Sequence, residues 1–270
     1  MPRTGSHPAR SWGAPMGDRL PRVVEITEVV VETPRIRTFR FSDSFSFIPG
    51  QFVMVWVPGV DEIPMALTSP RSISVLSVGD ATNALFTLAE GDRIGIRGPF
   101  GNGFRVQGPT LAIAGGIGAA PLIPLALAGR VDAFLLGAPT ARELPFRAAL
   151  AGVTTLHLAT DDGAAGHHGV VTGLLDELVL EVYDHFCVCG PEPMMRRVLD
   201  ILAAKGLEGK GQFSLHRYMK CGIGICGSCC IDPEGICVCR EGPVISGDRL
   251  VKSELGRYAR DGSGTKKRFR

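Results

Sequence analysis

The segment from Lys220 to Cys230, K-C-G-I-G-I-C-G-S-C-C, places Cys221, Cys226 and Cys229 in a C-x4-C-x2-C spacing, with a further cysteine at Cys237 or Cys239. This is the plant-type ligand spacing of a [2Fe–2S] cluster, and it demands a loop that curls until three thiolates converge. Gly222, Gly224 and Gly227 suit such a loop. Without a Cβ, backbone N–H groups approach the sulfurs, and those hydrogen bonds help to set a reduction potential. The alternative, a structural zinc knuckle, favours two separate C-x2-C pairs, whereas this chain has one. Using Cys230 in place of Cys229 would lengthen the x2 gap to x3. Cys237 and Cys239 are i and i+2 on an expected strand, so alternation points both the same way and leaves the fourth ligand open between them. Cys187 reads as a small core residue.

A chain of 270 residues is long enough for two domains and a small appendage. A net charge of +2 gives no reason to expect nucleic acid or an acidic surface as partner. The closing run Lys266–Lys267–Arg268–Phe269–Arg270 reads as a solvated tail, residues 256–270. No apolar stretch approaches the roughly 20 residues that span a bilayer, so no membrane association is expected. Residues 1–20 contain Pro, Arg and Gly without an apolar h-region; they read as a disordered leader, with Met16 an alternative start. A cytoplasmic location follows, where eight cysteines stay reduced and serve metal or redox roles.

Runs rich in β-branched and aromatic residues (Val23–Ile26, Val29–Val31, Arg35–Phe41, Gln51–Val57, Met65–Thr68, Ser72–Val78, Arg93–Arg97) are punctuated by turn signals. They predict an antiparallel β-barrel over residues 21–106. Apolar runs then alternate with helix candidates at Ala119–Ala128, Ala141–Ala151, Gly169–Leu178 and Glu192–Lys205. That alternation predicts an α/β domain with a parallel sheet over residues 107–210. Gly209–Gly211 reads as a linker into a small cysteine-rich domain, residues 211–255.

Three glycine-bearing loops follow expected strands of the sheet. The first holds Gly115, Gly116 and Gly118 and departs from G-x-G-x-x-G by Pro121; the second runs Thr160–Gly169 and includes Asp161; the third is Cys189–Gly190–Pro191. Loops at consecutive strand ends build the crevice where open α/β sheets bind dinucleotides, and these residues are the candidates for holding a nicotinamide nucleotide. His167 and His168 in the second loop read as solvated.

Taken together, the pieces resemble the electron-transfer subunits of type B dihydroorotate dehydrogenases, within the ferredoxin–NAD(P) reductase superfamily. The residues that carry the resemblance are Pro49–Phe52, Gly98–Phe104, Ala114–Gly118, Thr160–Gly163, Cys189–Pro191, the cysteine loop and Val238–Val244 (V-C-R-E-G-P-V), in family order. The resemblance implies Cys239 as the fourth cluster ligand and an FAD-binding barrel. It also implies a flavin strand at Ile63–Thr68, with Pro64, Met65 and Ala66 beside the isoalloxazine and further contacts from Ser74, Val75 and Leu76. Arg71–Ser74 imitates the family's R-P-x-S strand, but only four residues separate Ser74 from the following glycine turn at Gly79. Ile63 and Ala66 stand where the family carries arginine and serine, and Ala81 and Thr82 are implied at a helix start facing the FAD pyrophosphate. The implied function is electron transfer in pyrimidine biosynthesis. Electrons from dihydroorotate oxidation in an FMN-containing catalytic partner would reach NAD⁺ as substrate through [2Fe–2S] and FAD, in a heterotetramer with two copies of each subunit. No side chain is required as acid or base. The rivals are a subunit of similar build serving a hydrogenase or an NADPH:ferredoxin or transhydrogenase system, and a zinc-stabilised binding module.

Cys239→Ser is expected to abolish cluster content, measured as iron and acid-labile sulfide per chain, while Cys237→Ser retains it. The reverse pattern would assign the fourth ligand to Cys237.

Overall fold

The computed structural model describes residues 20–269; the expected leader and Met16 fall outside these, Leu20 excepted. Six strands form a closed antiparallel barrel: β1 (Arg22–Thr33), β2 (Ile36–Phe41), β3 (Phe52–Val57), β4 (Asp61–Ser69), β5 (Ser72–Leu76) and β6 (Arg93–Phe100). Their order around the barrel is β1-β2-β5-β4-β3-β6. The runs expected at Val23–Ile26 and Val29–Val31 are one strand, β1, bent by an irregularity between Ile26 and Glu28 where its register with β2 shifts. Its interior is filled by Phe39, Val53, Val55, Leu67, Ile73, Val75 and Ile94, all without exposed surface. A short helix, α1 (Asp80–Leu85), closes one end with Leu85.

The second unit is a seven-stranded sheet that includes β7 (Thr110–Gly115), β8 (Ala133–Ala138), β9 (Thr155–Thr160), β10 (His167–His168), β11 (His185–Cys189) and β12 (Gly211–Ser214). These strands are parallel, and β8 is buried at every position, as a strand covered on both faces should be. The sheet runs β10-β9-β8-β7-β11-β12, so the chain reverses its direction of travel between β7 and β11.

The helices between the strands are shorter than the periodicity suggests. Ala119–Ala128 becomes a 3-10 turn (Gly116–Leu122) followed by α2 (Ile123–Leu127), because Pro121 and Pro124 each lack an amide donor. Pro145 similarly splits Ala141–Ala151 into a 3-10 turn (Ala141–Glu143) and α3 (Arg147–Leu150). Gly169–Leu178 holds only a 3-10 turn, Val171–Glu177. The full-length expectation holds at α4 (Glu192–Ala204), whose apolar positions Met195, Val198, Leu199 and Leu202 recur at helical spacing and are buried.

The linker expected at Gly209–Gly211 is not one. Gly211 opens β12, and Phe213 on that strand is fully buried in the sheet's core. The cysteine-rich segment that follows contains β13 (Cys230–Ile231), β14 (Ile236–Cys237) and α5 (Val238–Glu241). It then returns to the sheet as β15 (Val244–Ser246), antiparallel to β12, and ends its core in α6 (Gly247–Leu250). The barrel's exit loop is bonded to this return. Asn102 donates from Nδ2 to the Glu241 carbonyl at 2.9 Å and accepts from the Val244 amide at 3.1 Å, while its own N–H reaches the Gly242 carbonyl at 2.7 Å.

The terminal run is exposed over Lys266–Arg268, as expected, and it is also anchored. Its strands β16 (Tyr258–Arg260) and β17 (Lys266–Arg268) form a hairpin tied to Asp232, which accepts from Tyr258 Oη and Arg260 at 2.6 Å and pairs with Lys266 at 3.2 Å. The Tyr258 hydroxyl, Lys266 and Arg260 hold the Asp232 carboxyl down to about 2, below its ordinary 3.8. A depressed carboxylate contributes attachment above its unfolded value and loses it as pH falls through the folded one. Hairpin docking is therefore expected to be complete at neutral pH and to weaken from pH 3.8 towards about 2. Asp232→Ala is expected to release it at neutral pH, read as faster tryptic cleavage after Lys266–Arg268 with the core digestion pattern unchanged.

Candidate functional site

A cleft of about 1560 Å³ opens between barrel and sheet. The barrel lines it with Ile63, Pro64, Met65 and Ala66 of β4, Ser74 and Leu76 of β5, and Ala81 and Thr82 of α1. The sheet lines it with Gly115, Gly116, Gly118, Asp161, Cys189, Gly190 and Pro191. Val75 is the candidate that the structure places elsewhere: strand alternation turns it into the barrel core, between two residues that face the cleft. The Ser74 hydroxyl is engaged with Thr38 Oγ1 at 2.7 Å and points on to Thr68. Thr82 Oγ1 accepts from the amides of Val78 and Gly79, which squares off the start of α1, and Asp80 puts a carboxylate in the same first turn.

On the sheet side the cleft sits at the switch between β7 and β11, the position where open α/β sheets place ligands. The two loops touch: a Cβ on Gly118 would lie 2.3 Å from the Cys189 carbonyl oxygen. Only glycine permits that approach. Burial pushes the Cys189 thiol up to about 12, so it stands as a neutral, unreactive group in the wall. Of the two histidines expected to be solvated, His167 is half-buried with Nδ1 3.0 Å from Glu177, and His168 is exposed.

The end of β12 and the segment that follows, Ser214–Lys220, form a third wall, which the sequence reading missed because it carries no motif. His216 borders the open cleft, and the protein around its ring shifts its pKa downward by desolvation. Arg197 and Lys220 bring cationic groups to the same cleft. Arg217 is 3% exposed and faces two buried carboxylates, Glu192 at the start of α4 and, at 3.5 Å, Glu254. Burial pulls the guanidinium pKa down and the Glu254 carboxyl up, opposed in each case by the partner's charge. The carboxylates reach on to backbone amides: Glu192 accepts from Gly256 at 3.1 Å, and Glu254 from Asp232.

The thiols group in pairs. All are free thiols: Cys221 and Cys226 lie within hydrogen-bonding reach of one another, as do Cys229 and Cys239, and Cys230 and Cys237 stand 2.8 Å apart. Backbone amides point at three of the sulfurs: Gly224 at Cys239 (3.1 Å), Ile225 at Cys221 (3.4 Å) and the Cys239 amide at Cys229 (3.4 Å). Sharing a proton with Cys239 lowers Cys229 to about 6 and raises Cys239; Cys226 stands at about 7, its partial burial outweighed by bonds to Ser228 and Cys221. Gly222, Gly224 and Gly227 take φ of +69°, +79° and +74°, which the tight curl requires. Among the described residues, no three His, Cys, Asp or Glu groups converge as a site for a single metal ion. Cys237 and Cys239 do not share a strand face, contrary to expectation. Cys237 ends β14 with its sulfur 2.8 Å from that of Cys230, and the turn into α5 carries Cys239 to the other thiols.

Residues 216–251 match the family described as the iron-sulfur cluster binding domain of dihydroorotate dehydrogenase B. The chain is 49% identical to a protein of Methanocella arvoryzae named "Probable dihydroorotate dehydrogenase B (NAD(+)), electron transfer subunit", over 90% of this chain and 97% of that one. It is 46% identical to the protein of the same name in Methanocaldococcus jannaschii, over 91% and 98%. Among solved structures it is similar to that of an NADH-dependent reduced ferredoxin-NADP oxidoreductase, with a TM-score of 0.75 and 29% identity over 83% of this chain and 88% of the other. The flavohem-like FAD/NAD binding domain of a Vibrio cholerae nitric oxide dioxygenase shares the fold, with a TM-score of 0.65 and 23% identity over 73% and 99%.

Arg217→Ala is expected to destabilise the fold by about 3–5 kcal/mol in denaturant titrations at pH 7, because it strands Glu192 and Glu254 as buried charges. Part of the loss should be recovered as pH falls and those carboxylates protonate. A variant as stable as the parent at pH 7 would contradict this.

Proposed function

The chain belongs to the electron-transfer subunits of dihydroorotate dehydrogenase B, and from that premise we propose how its residues serve the exchange. The subunit passes electrons between a dihydroorotate-oxidising catalytic subunit and NAD⁺ in pyrimidine biosynthesis, using a [2Fe–2S] cluster and FAD. The observation that carries this is the geometry of the cysteine loop. Positive-φ glycines at 222, 224 and 227 curl it, and the amides of Ile225, Cys239 and Gly224 aim at the sulfurs of Cys221, Cys229 and Cys239, the environment that a two-iron cluster with four thiolates takes.

The cleft fits the other groups on its own geometry. Gly118 lets the loops after β7 and β11 pack together, and a Cβ on Gly116 would meet nothing within 4 Å, so the first loop is open to a flat ring or a phosphate. Ile63, Pro64, Met65 and Ala66 hold the flavin's ring against β4, with Ser74 and Leu76 beside them. Arg197 and Lys220 supply the positive charge that Ile63 cannot give to a pyrophosphate. Gly115, Gly116, Gly118, Cys189, Gly190 and Pro191 receive the nicotinamide half. Asp161 offers a carboxylate in the cleft, which supports NAD over NADP because a 2′-phosphate would meet like charge. The chemistry these groups supply when bound is the conversion of a hydride's electron pair into single electrons. The protein's part is to orient them and exclude water; no side chain in the cleft is required to move a proton.

The partner is the catalytic subunit, which we take to contain FMN and to assemble with this chain as two copies of each. Thiols that must stay reduced favour the cytoplasm, and no helix among the described residues is long and apolar enough to cross a membrane.

The purified protein is expected to be yellow-brown, with FAD and a [2Fe–2S] absorption envelope bleached by NADH, and to co-purify with a dihydroorotate-oxidising subunit. A colourless zinc protein would overturn the cofactor assignment. A co-purifying hydrogenase subunit would overturn the partner.

A further inference from the structure

One buried arginine stands between the cleft wall and the thiol loop. Arg97, on β6, is 9% exposed. Its Nε and Nη2 donate to the two carboxylate oxygens of Glu62 at 2.8 and 2.6 Å, and its Nη1 donates to the Cys221 carbonyl oxygen at 3.1 Å. The guanidinium also lies over the Phe100 ring, 5.2 Å from its centre. Strand register explains the reach. β3 runs between β4 and β6, with Met54 beside Arg97 and Trp56 beside Glu62, so the arginine side chain crosses the outer face of β3. Glu62 immediately precedes Ile63 in the cleft wall, and Cys221 is the first cysteine of the loop. One side chain thus bonds to the root of the cleft wall and to the backbone of a cluster ligand.

The other contacts at this junction are apolar. Phe100 and Cys221 pack against the core that holds Phe52 and Met54, and a Cβ on Gly222 would lie 3.0 Å from Met54 Cγ and 3.6 Å from Phe100 Cδ2. Apolar contact holds surfaces together without fixing their orientation. A planar fork with three hydrogen bonds does fix it. Stability alone gives little reason for the pair, since desolvation offsets most of what a buried ion pair contributes and an apolar residue of similar volume packs as well.

We propose that Arg97, set by Glu62, is a positioning residue for electron passage between the flavin cleft and the cluster: it fixes the Cys221 end of the loop relative to β4. The proposal rests on the FAD and [2Fe–2S] reading above. Electron tunnelling falls off exponentially with separation, so a small displacement of the loop slows that passage. Hydride exchange with the nicotinamide, on the sheet side of the cleft, is not affected. The guanidinium at the Cys221 carbonyl also favours the more negative, reduced cluster, so removing it lowers the cluster potential.

The test is single-turnover reduction by NADH of the full chain loaded with its cofactors, together with potentiometric titration of the cluster followed by electron paramagnetic resonance. In Arg97→Met, cluster reduction is expected to slow by about ten- to a hundredfold, while flavin reduction changes by less than about twofold and the cluster potential falls. Arg97→Lys keeps the charge and loses the fork; it is expected to restore the potential and not the rate. Parallel slowing of both phases in Arg97→Met, or no change in cluster rate and potential, overturns the proposal. Should Arg97→Met retain FAD but no iron, Glu62→Gln decides: a slowed cluster phase with normal flavin reduction supports the positioning role, and unchanged kinetics overturn it. A parent protein that binds neither FAD nor iron would instead refute the functional reading beneath it.

Discussion

Phe52 and Met54 belong to a barrel strand, yet their side chains are buried in the core of the sheet, together with Leu111, Phe213, Cys229 and Cys239. A small barrel standing alone would turn polar residues outward at these positions. Instead β3 is apolar on both faces: Val53 and Val55 fill the barrel, while Phe52 and Met54 leave it. Burying that outer face joins three parts of the chain in one continuous core, and nearly everything else in the molecule depends on the union. It brings the cysteine loop against the barrel next to the strand that walls the cleft. The thiol loop and the cleft thereby become neighbours.

Polar bonds then fix the angles that apolar burial leaves free. Asn102 joins the barrel's exit loop to the return strand, and Gln212 exchanges two hydrogen bonds with the Arg105 backbone. Arg217, Glu192 and Glu254 tie the start of α4, the third wall of the cleft and the cysteine segment together. Arg217, Glu192 and Glu254 are buried, and each costs desolvation unless its partner is in place, so they favour one arrangement over near alternatives. The cleft is consequently built by segments distant in sequence, from β4 to the chain beyond β12.

Much of this was legible in the residues. Barrel strands were found from β-branched runs and turns, the sheet from alternation, and the thiol centre from cysteine spacing. What escaped had physical causes. Prolines at 121, 124 and 145 cut helices that periodicity alone extends. Gly211 looked like a linker because a strand of four residues is too short to declare itself. Val75 was counted with its neighbours Ser74 and Leu76, although alternation sends it to the opposite face. The terminal strand is exposed, as its lysines and arginines suggested, but the hairpin's anchoring went unseen because Asp232 lies more than 20 residues away in sequence. Cys237 and Cys239 were indistinguishable as i and i+2 until the turn into α5 separated them. Arg97 and Arg217 carried no motif; only the fold shows what each one holds.

By its family this chain joins dihydroorotate oxidation to NAD⁺. The direct measurement is reconstitution of the purified, cofactor-loaded chain with the catalytic subunit, following NADH formation on addition of dihydroorotate. The account predicts NADH formed in step with orotate, with none when this chain is omitted. Equal NADH formation without the chain, or orotate production that never reduces NAD⁺ in its presence, would contradict it.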